Sequence, residues 1–175
     1  MGTTRPKLQR VLVLSGVPNW YTVLVGVVVR PVVESDRARW AELYRGYAAF
    51  YEVTPPDLDH LWRRITELGD LECFVAELDG AVVGLAHVRA FARPLEGDWG
   101  GFLDDLFVDP AGRGSGAGAA LLEHLRGLAR ERGWGVVTWI TAGDNQVARR
   151  LYDRLAEAQP WVTYDLDPAR SSPNC

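Results

Sequence analysis

Cysteine is nearly absent from this 175-residue chain: there are two, Cys73 and Cys175, far apart, and the second is the last residue. Thiols so placed make neither a disulfide framework nor a zinc-binding spacing. The three histidines, His60, His87 and His124, form no H-E-x-x-H or similar ligand pattern, so no metal is expected. Lysine is scarcer still, one residue against eighteen arginines, and the net charge is −4. A mildly acidic chain argues against nucleic-acid binding and is compatible with a cationic partner. No repeat or low-complexity tract appears. The length fits one domain, and an apolar fraction of 47% is enough for a core. Cysteine scarcity makes a reducing cytoplasm the default compartment.

Charge is missing from one long stretch. Val11 to Val29, 19 residues between Arg10 and Arg30, carries none, which is just long enough to test as a membrane span. Pro18-Asn19 in its middle weakens that reading, and no A-x-A-type cleavage site follows for a signal peptide. Val27 to Val33 also reads as a first strand. Residues 1–26 are therefore taken as an extension outside the core fold, 27–167 as the domain and 168–175 as a tail. A loosely packed strand or helix is the second reading of the extension, and a membrane anchor the third.

Along the domain, Ser35 or Asp36 can cap a first helix. Its Trp40, Leu43, Tyr44, Tyr47, Phe50 and Tyr51 recur at three- and four-residue steps, an aromatic stripe that is mostly core but can also line a pocket. Pro55-Pro56 ends it. Asp57 or Asp59 opens a second helix, which stops at Gly69. Cys73–Leu78 and Ala81–Val88 flank Asp79-Gly80, a strong hairpin signal, and Gly84 suggests a bulge. His87 reads as a packed strand residue. Residues 89–101, with Pro94, Gly97 and Gly100, read as a loop. In the strand 101–108, alternation puts Asp104 and Asp105 on opposite faces, and adjacent carboxylates on a central strand are costly to bury without a role. Val136–Thr141 reads as a strand, Gln146–Ala156 as a helix capped by Asp144 or Asn145, and Trp161–Leu166 as a closing strand.

The chain is organised around 103–132, LDDLFVDPAGRGSGAGAALLEHLRGLARER. Asp109-Pro110 stops a strand. Gly114, Gly116 and Gly118 then open a helix whose Ala117, Ala120, Leu121, Leu125 and Leu128 show helical spacing. Bare amides at the positive end of a helix dipole suit phosphate, and Arg113 adds a charge. A Walker loop is excluded because no Gly-Lys-Ser/Thr follows. Gly114-Ser-Gly116-Ala-Gly118-Ala119 fits the dinucleotide pattern G-x-G-x-x-A, but it lies late in the chain and lacks a well-placed acid about 20 positions on. A glycine-rich helix start with no ligand is the remaining alternative.

Arg113-Gly-Ser-Gly116-Ala-Gly118, with Asp105-Leu-Phe-Val-Asp-Pro before it, resembles the R/Q-x-x-G-x-G/A signature of the GNAT N-acetyltransferases. A second stretch, Trp139-Ile-Thr141-x-x-x-Asn145-x-x-Ala148-Arg149-x-Leu-Tyr152, is similar to that family's other conserved block. The text from Trp40 to Glu52 resembles a subgroup that includes histone, polyamine and D-amino-acid acetyltransferases. The resemblance covers roughly residues 27–166. It implies one α/β (α+β) domain, a mixed, mainly antiparallel sheet flanked by helices, with parallel pairing where the signature helix joins two strands. It implies acetyl-CoA as cosubstrate, held by Leu106, Phe107, Val108, Arg113, Gly114, Ser115, Gly116, Ala117, Gly118, Asn145 and Arg149. Tyr152 would protonate the leaving thiolate. Asp104, or second Asp105, would serve as base. Tyr47, Tyr51 and Glu52 would meet the acceptor, a primary amine on a small molecule, polyamine, amino acid or protein lysine. Homodimers are common in the family. A silent acyl-CoA-binding or interaction module of the same fold is the alternative. Gln159-Pro160-Trp161 departs from the usual Gly-Phe after the last helix.

Overall fold

A computed structural model describes residues 22–24 and 26–169; the expectations for 1–21 and for the end of the tail fall outside these. Six strands form one sheet in chain order: β1 (Thr22–Leu24), β2 (Val27–Pro31), β3 (Glu72–Leu78), β4 (Ala81–Arg93), β5 (Asp98–Val108) and β6 (Val136–Thr138). Every pairing is antiparallel except β5–β6, which is parallel and joined through α3 (Ala117–Arg132). A parallel pair needs a long crossover, and a helix supplies it. Three residues from within the expected N-terminal extension join the sheet, since Thr22 pairs with Val29 across a turn at Gly26.

Strand alternation builds two cores. Phe74, Ala76, Ala86, Val88 and Leu103 face α3, whose Ala117, Ala120, Leu121 and Leu125 pack on them. Cys73, Val75, Leu85 and Phe107 face Trp40 and Leu43 of α1 (Arg37–Phe50) and Trp62 of α2 (Leu58–Arg63). Leu121 and Leu125 are almost wholly buried, so each contributes roughly 2 kcal/mol by leaving water. Asp57 caps α2 by accepting from the amides of Asp59 and His60. Asp36 does not cap α1; its carboxylate accepts from Val33 N and pairs with Arg30 at 2.6 Å.

Leu103 and Phe107, four residues apart, should share a face of β5, yet they enter different cores. The register explains this: His87 pairs with Asp105 and Val88 with Leu103, so Asp104 is an extra residue, a bulge. A second bulge falls at Val83, one residue before Gly84, where it was expected.

Three local expectations fail. Residues 89–101 are no loop: β4 runs on to Arg93 and β5 begins at Asp98, so the hairpin turns only at 94–97. The glycines that suggested a loop instead make room, because a Cβ at Gly100 would stand 2.7 Å from Phe91 and one at Gly101 2.5 Å from Trp134. β6 stops at Thr138, not Thr141. Trp161–Leu166 forms no strand: among the described residues it pairs with no strand of the sheet, and it is exposed.

Candidate active site

β5 and β6 pair only at Gly100–Phe102 with Val136–Thr138. Beyond Phe102 no strand among the described residues lies against the β6 side of β5. A cleft of about 780 Å³ opens in that gap. Leu106, Phe107 and Val108 form one wall. The start of α3 forms the floor, α4 (Gln146–Leu155) the opposite wall, and Tyr47, Phe50 and Tyr51 from the end of α1 one rim.

The floor is made of main chain. Asp109 accepts from Ala111 N at 2.9 Å and turns the chain out of β5. A short turn at Pro110–Gly112 leads to Gly116, which caps α3 at φ +90°. A side chain would strain that left-handed conformation. The first-turn amides of α3, which have no carbonyl partners within the helix, lie where Gly114, Gly116, Ala117, Gly118 and Ala119 line the cleft. A Cβ at Gly118 would press on Leu151 Cδ2 at 3.1 Å, so this glycine lets α4 close over the loop. Asp109 N donates to Val83 O at 2.9 Å. Strand alternation then turns the Val108 N–H to the opposite edge, towards the gap. Val108 O on that edge accepts from Arg113 Nε at 3.3 Å.

On the α4 wall, Asn145 caps the helix by accepting from Ala148 N at 3.3 Å, and its amide donates to Thr141 Oγ1 at 3.4 Å. Tyr152 packs edge-on to Trp139, with ring centroids 5.2 Å apart. Burial, with a smaller effect from Tyr51, pushes its phenol up to about 12. It therefore keeps its proton at neutral pH.

Behind the α1 rim lies a cluster of side chains. Trp40 Nε1 can only donate, so His87 Nε2 accepts it, at 3.0 Å, and the ring proton lies on Nδ1. That nitrogen faces Asp105 Oδ2 at 2.8 Å, and Tyr44 Oη donates to the same oxygen at 3.3 Å. Burial, with Asp105 beside them, pushes the phenols of Tyr44 and Tyr47 well above their usual range. Because of the bulge, Asp104 points elsewhere: it pairs with Arg89 at 3.0 Å on an exposed edge. Burial pushes its carboxyl above the usual range, and Arg89 pulls the other way.

Of the residues singled out from sequence, Tyr47, Tyr51, Leu106, Phe107, Val108, Arg113, Gly114, Gly116, Ala117, Gly118, Asn145 and Tyr152 meet at this cleft. Ser115, Arg149 and Glu52 are not in its lining. Ser115 Oγ donates to Gly112 O at 2.7 Å, and Arg149 donates to Gly143 O at 2.7 Å. Glu52 follows the end of α1 with φ +56° and is exposed. Asp104 and Asp105 stand outside the lining, and Asp105 lies behind Tyr47. Sequence reasoning missed Phe50, Leu151 and Arg154 in the lining, and the contacts that tie His87 to Asp105. Phe50 belongs to the aromatic stripe and could have been found; the His87 contact depends on the bulge and could not. Among the described residues no group of His, Cys, Asp or Glu converges as a metal site, and no helix is long and apolar enough to cross a membrane.

Residues 38–156 match the profile of the acetyltransferase (GNAT) family. The chain is 26% identical over 154 residues to the D-amino-acid N-acetyltransferase of Saccharomyces cerevisiae, covering 79% of this chain and 89% of that one. It is 34% identical over 112 residues to aminoglycoside N(6')-acetyltransferase type 1 of Stenotrophomonas maltophilia, covering 60% and 69%. Among solved structures, ribosomal-protein-alanine N-acetyltransferase of Brucella melitensis superposes with a TM-score of 0.69 at 25% identity, covering 81% of this chain and 98% of that one.

Proposed function

The chain belongs to the acetyltransferase (GNAT) family, and from that premise we propose that it moves the acetyl group of acetyl-CoA onto the primary amine of a small molecule by direct attack. The observation that carries this reading is one shared cleft: the loop amides, the Tyr152 phenol and the aromatic rim of α1 all open onto it. The loop fits a diphosphate, because first-turn amides and Arg113 present donors and positive charge there. Asn145 lies on the α4 wall, where the pantetheine arm would run. Relatives named for D-amino acids and aminoglycosides support a small amine over a protein lysine.

When bound, the cosubstrate supplies a thioester carbonyl that an unprotonated amine attacks, forming the C–N bond as the C–S bond breaks. The chain's residues do the rest. Asp105, held by His87 and Tyr44 behind the α1 rim, attracts the ammonium and takes its proton, directly or through water. Asp104, already paired with Arg89, is the second candidate. The Val108 N–H, on the open edge of β5, donates to the oxygen that gains charge. Tyr152 Oη donates to the leaving sulfur, and the proton that the nitrogen sheds after attack passes to that sulfur as the thiol forms. The phenol's pKa of about 12 exceeds the roughly 8.5 of an ordinary thiol, so it stabilises that sulfur by sharing its proton. Holding both reactants in one cleft provides much of the acceleration. We place the reaction in the cytoplasm, in keeping with the buried, free thiol of Cys73.

Titration calorimetry with acetyl-CoA, followed by thiol-release assays on amino acids of both hands, polyamines, aminoglycosides and a lysine peptide, tests this. Heat with acetyl-CoA and turnover on a small amine are expected. Binding without turnover on any amine would point to a silent acyl-CoA-binding module, and no heat at all would sink the assignment.

A further inference from the structure

Asp105 holds the base role, yet it is not part of the cleft wall. Its side chain is 16% exposed and stands outside the lining. His87 Nδ1 at 2.8 Å and Tyr44 Oη at 3.3 Å both meet its Oδ2, so Oδ1 is the oxygen open to a further donor. Neither His87 nor Tyr44 lines the cleft. An amine bound there meets another group before it meets the carboxylate.

That group is Tyr47. It lines the cleft from α1, and its hydroxyl is a hydrogen-bond partner of both Asp105 and Tyr51. Its ring is held among those of Tyr44, Tyr51 and Phe107, with centroids 5.8, 5.1 and 6.0 Å away. A phenol has one proton to give and lone pairs with which to accept. With its proton directed at the carboxylate, the Tyr47 hydroxyl can offer a lone pair to the cleft. Burial, with Asp105 beside it, pushes this phenol well above its usual range. It therefore does not give up its proton outright and can pass one on only as it receives another.

We propose that Tyr47 is a catalytic residue that carries the proton of the substrate ammonium from the cleft to Asp105. The inference rests on the acetyl-transfer reading above and replaces a bridging water with a side chain. The step balances. An N–H bond of the ammonium breaks and its proton bonds to Tyr47 Oη, while the proton already on Oη moves to Asp105. The nitrogen keeps its electron pair for attack on the thioester. The phenol is regenerated, and the carboxylate has become a carboxylic acid, which returns the proton to solvent by the same path. The two transfers are coupled, so no phenolate forms. Tyr44 donates to the same carboxylate from outside the lining, so it positions Asp105 and has no path to the substrate. The other titratable groups that act on this pair are His87 on β4, Cys73 on β3, Asp104 on β5 with its partner Arg89, and Tyr51 at the end of α1.

The test is the pH profile of kcat/KM by thiol release, with the fastest amine of the panel above, for the full chain, Tyr47→Phe and Tyr44→Phe. Phenylalanine keeps the ring contacts and removes only the hydroxyl. At pH 7, Tyr47→Phe should lower kcat/KM about 100-fold and Tyr44→Phe less than roughly tenfold. The Tyr47→Phe deficit should then shrink about tenfold per pH unit towards about pH 9, because more of the amine has already lost its proton to solvent and needs no relay. A deficit of the same size at every pH overturns the proposal, since the hydroxyl would then only bind the amine. Full activity of Tyr47→Phe at pH 7 overturns it too, since water would then carry the proton, and so does a larger loss in Tyr44→Phe. In each of these cases the full chain still acetylates, and only the relay falls. A full chain that turns over no amine removes the acetyl-transfer reading and the relay together.

Discussion

The two ends of the cleft are built from different materials. The α3 end consists of main chain: amides at a helix start, brought there by three glycines and a proline turn. The α1 end consists of side chains: Tyr47, Phe50 and Tyr51 on the rim, with Trp40, Tyr44, His87 and Asp105 packed behind them, drawn from three elements and fixed by a bulge. A site made of backbone depends on local conformation and tolerates changes elsewhere. A site made of side chains depends on packing and register. The first suits a group that never varies, such as a diphosphate. The second can be altered residue by residue and suits a variable acceptor.

Substitutions at each end should separate these roles. The largest effect is expected where the two ends meet. Tyr152→Phe should lower kcat by about 10²–10³-fold and leave CoA affinity within twofold; unchanged turnover would remove Tyr152 from the chemistry. Asp105→Asn should reduce kcat/KM for an amine by about 100-fold, while Asp104→Asn costs less than tenfold. The reverse order in a steady-state comparison would return the base to Asp104 and break the assignment of the acceptor end. Gly116→Val tests the other end. Its left-handed φ costs a side chain about 1–2 kcal/mol, so calorimetry should show CoA binding weakened about tenfold, with the preference among amines unchanged.

The smallest effect lies away from the cleft, in the core under α3. Burial, helped by Arg132 and opposed by Glu72, lowers the pKa of His124 to about 4. The unfolded chain takes up this proton near 6.5. Between these values the unfolded state binds more protons, so stability falls as pH drops from about 6.5 towards 4. From pH 7 to 5.5 the loss should be about 1 kcal/mol by urea unfolding, and His124→Gln should flatten that slope.

The same contrast decides what could be read in advance. The α3 end was legible because its instructions are local. Proline stops a strand, glycine takes a positive φ, and spacing of three and four residues makes a helix face; each is written within a few residues of where it acts. The Asp79-Gly80 turn and the Asp57 cap were legible for the same reason. The extent of the 89–101 hairpin was not, because Gly100 and Gly101 resemble loop residues until Phe91 and Trp134 are seen lying over them. Nor could alternation reveal which of two adjacent carboxylates turns towards α1.

The sequence by itself determined a helix opened by glycines after a strand, an aromatic helix before it, and an asparagine and a tyrosine two turns apart on a third. These depend on neighbours in the chain, and backbone sterics act over a few residues. Only the tertiary structure decided that an extra residue at position 104 would rotate Asp105 to His87 and Asp104 to Arg89. A bulge is a mismatch between two strands, so its position is a property of the pair and is not written in either strand alone.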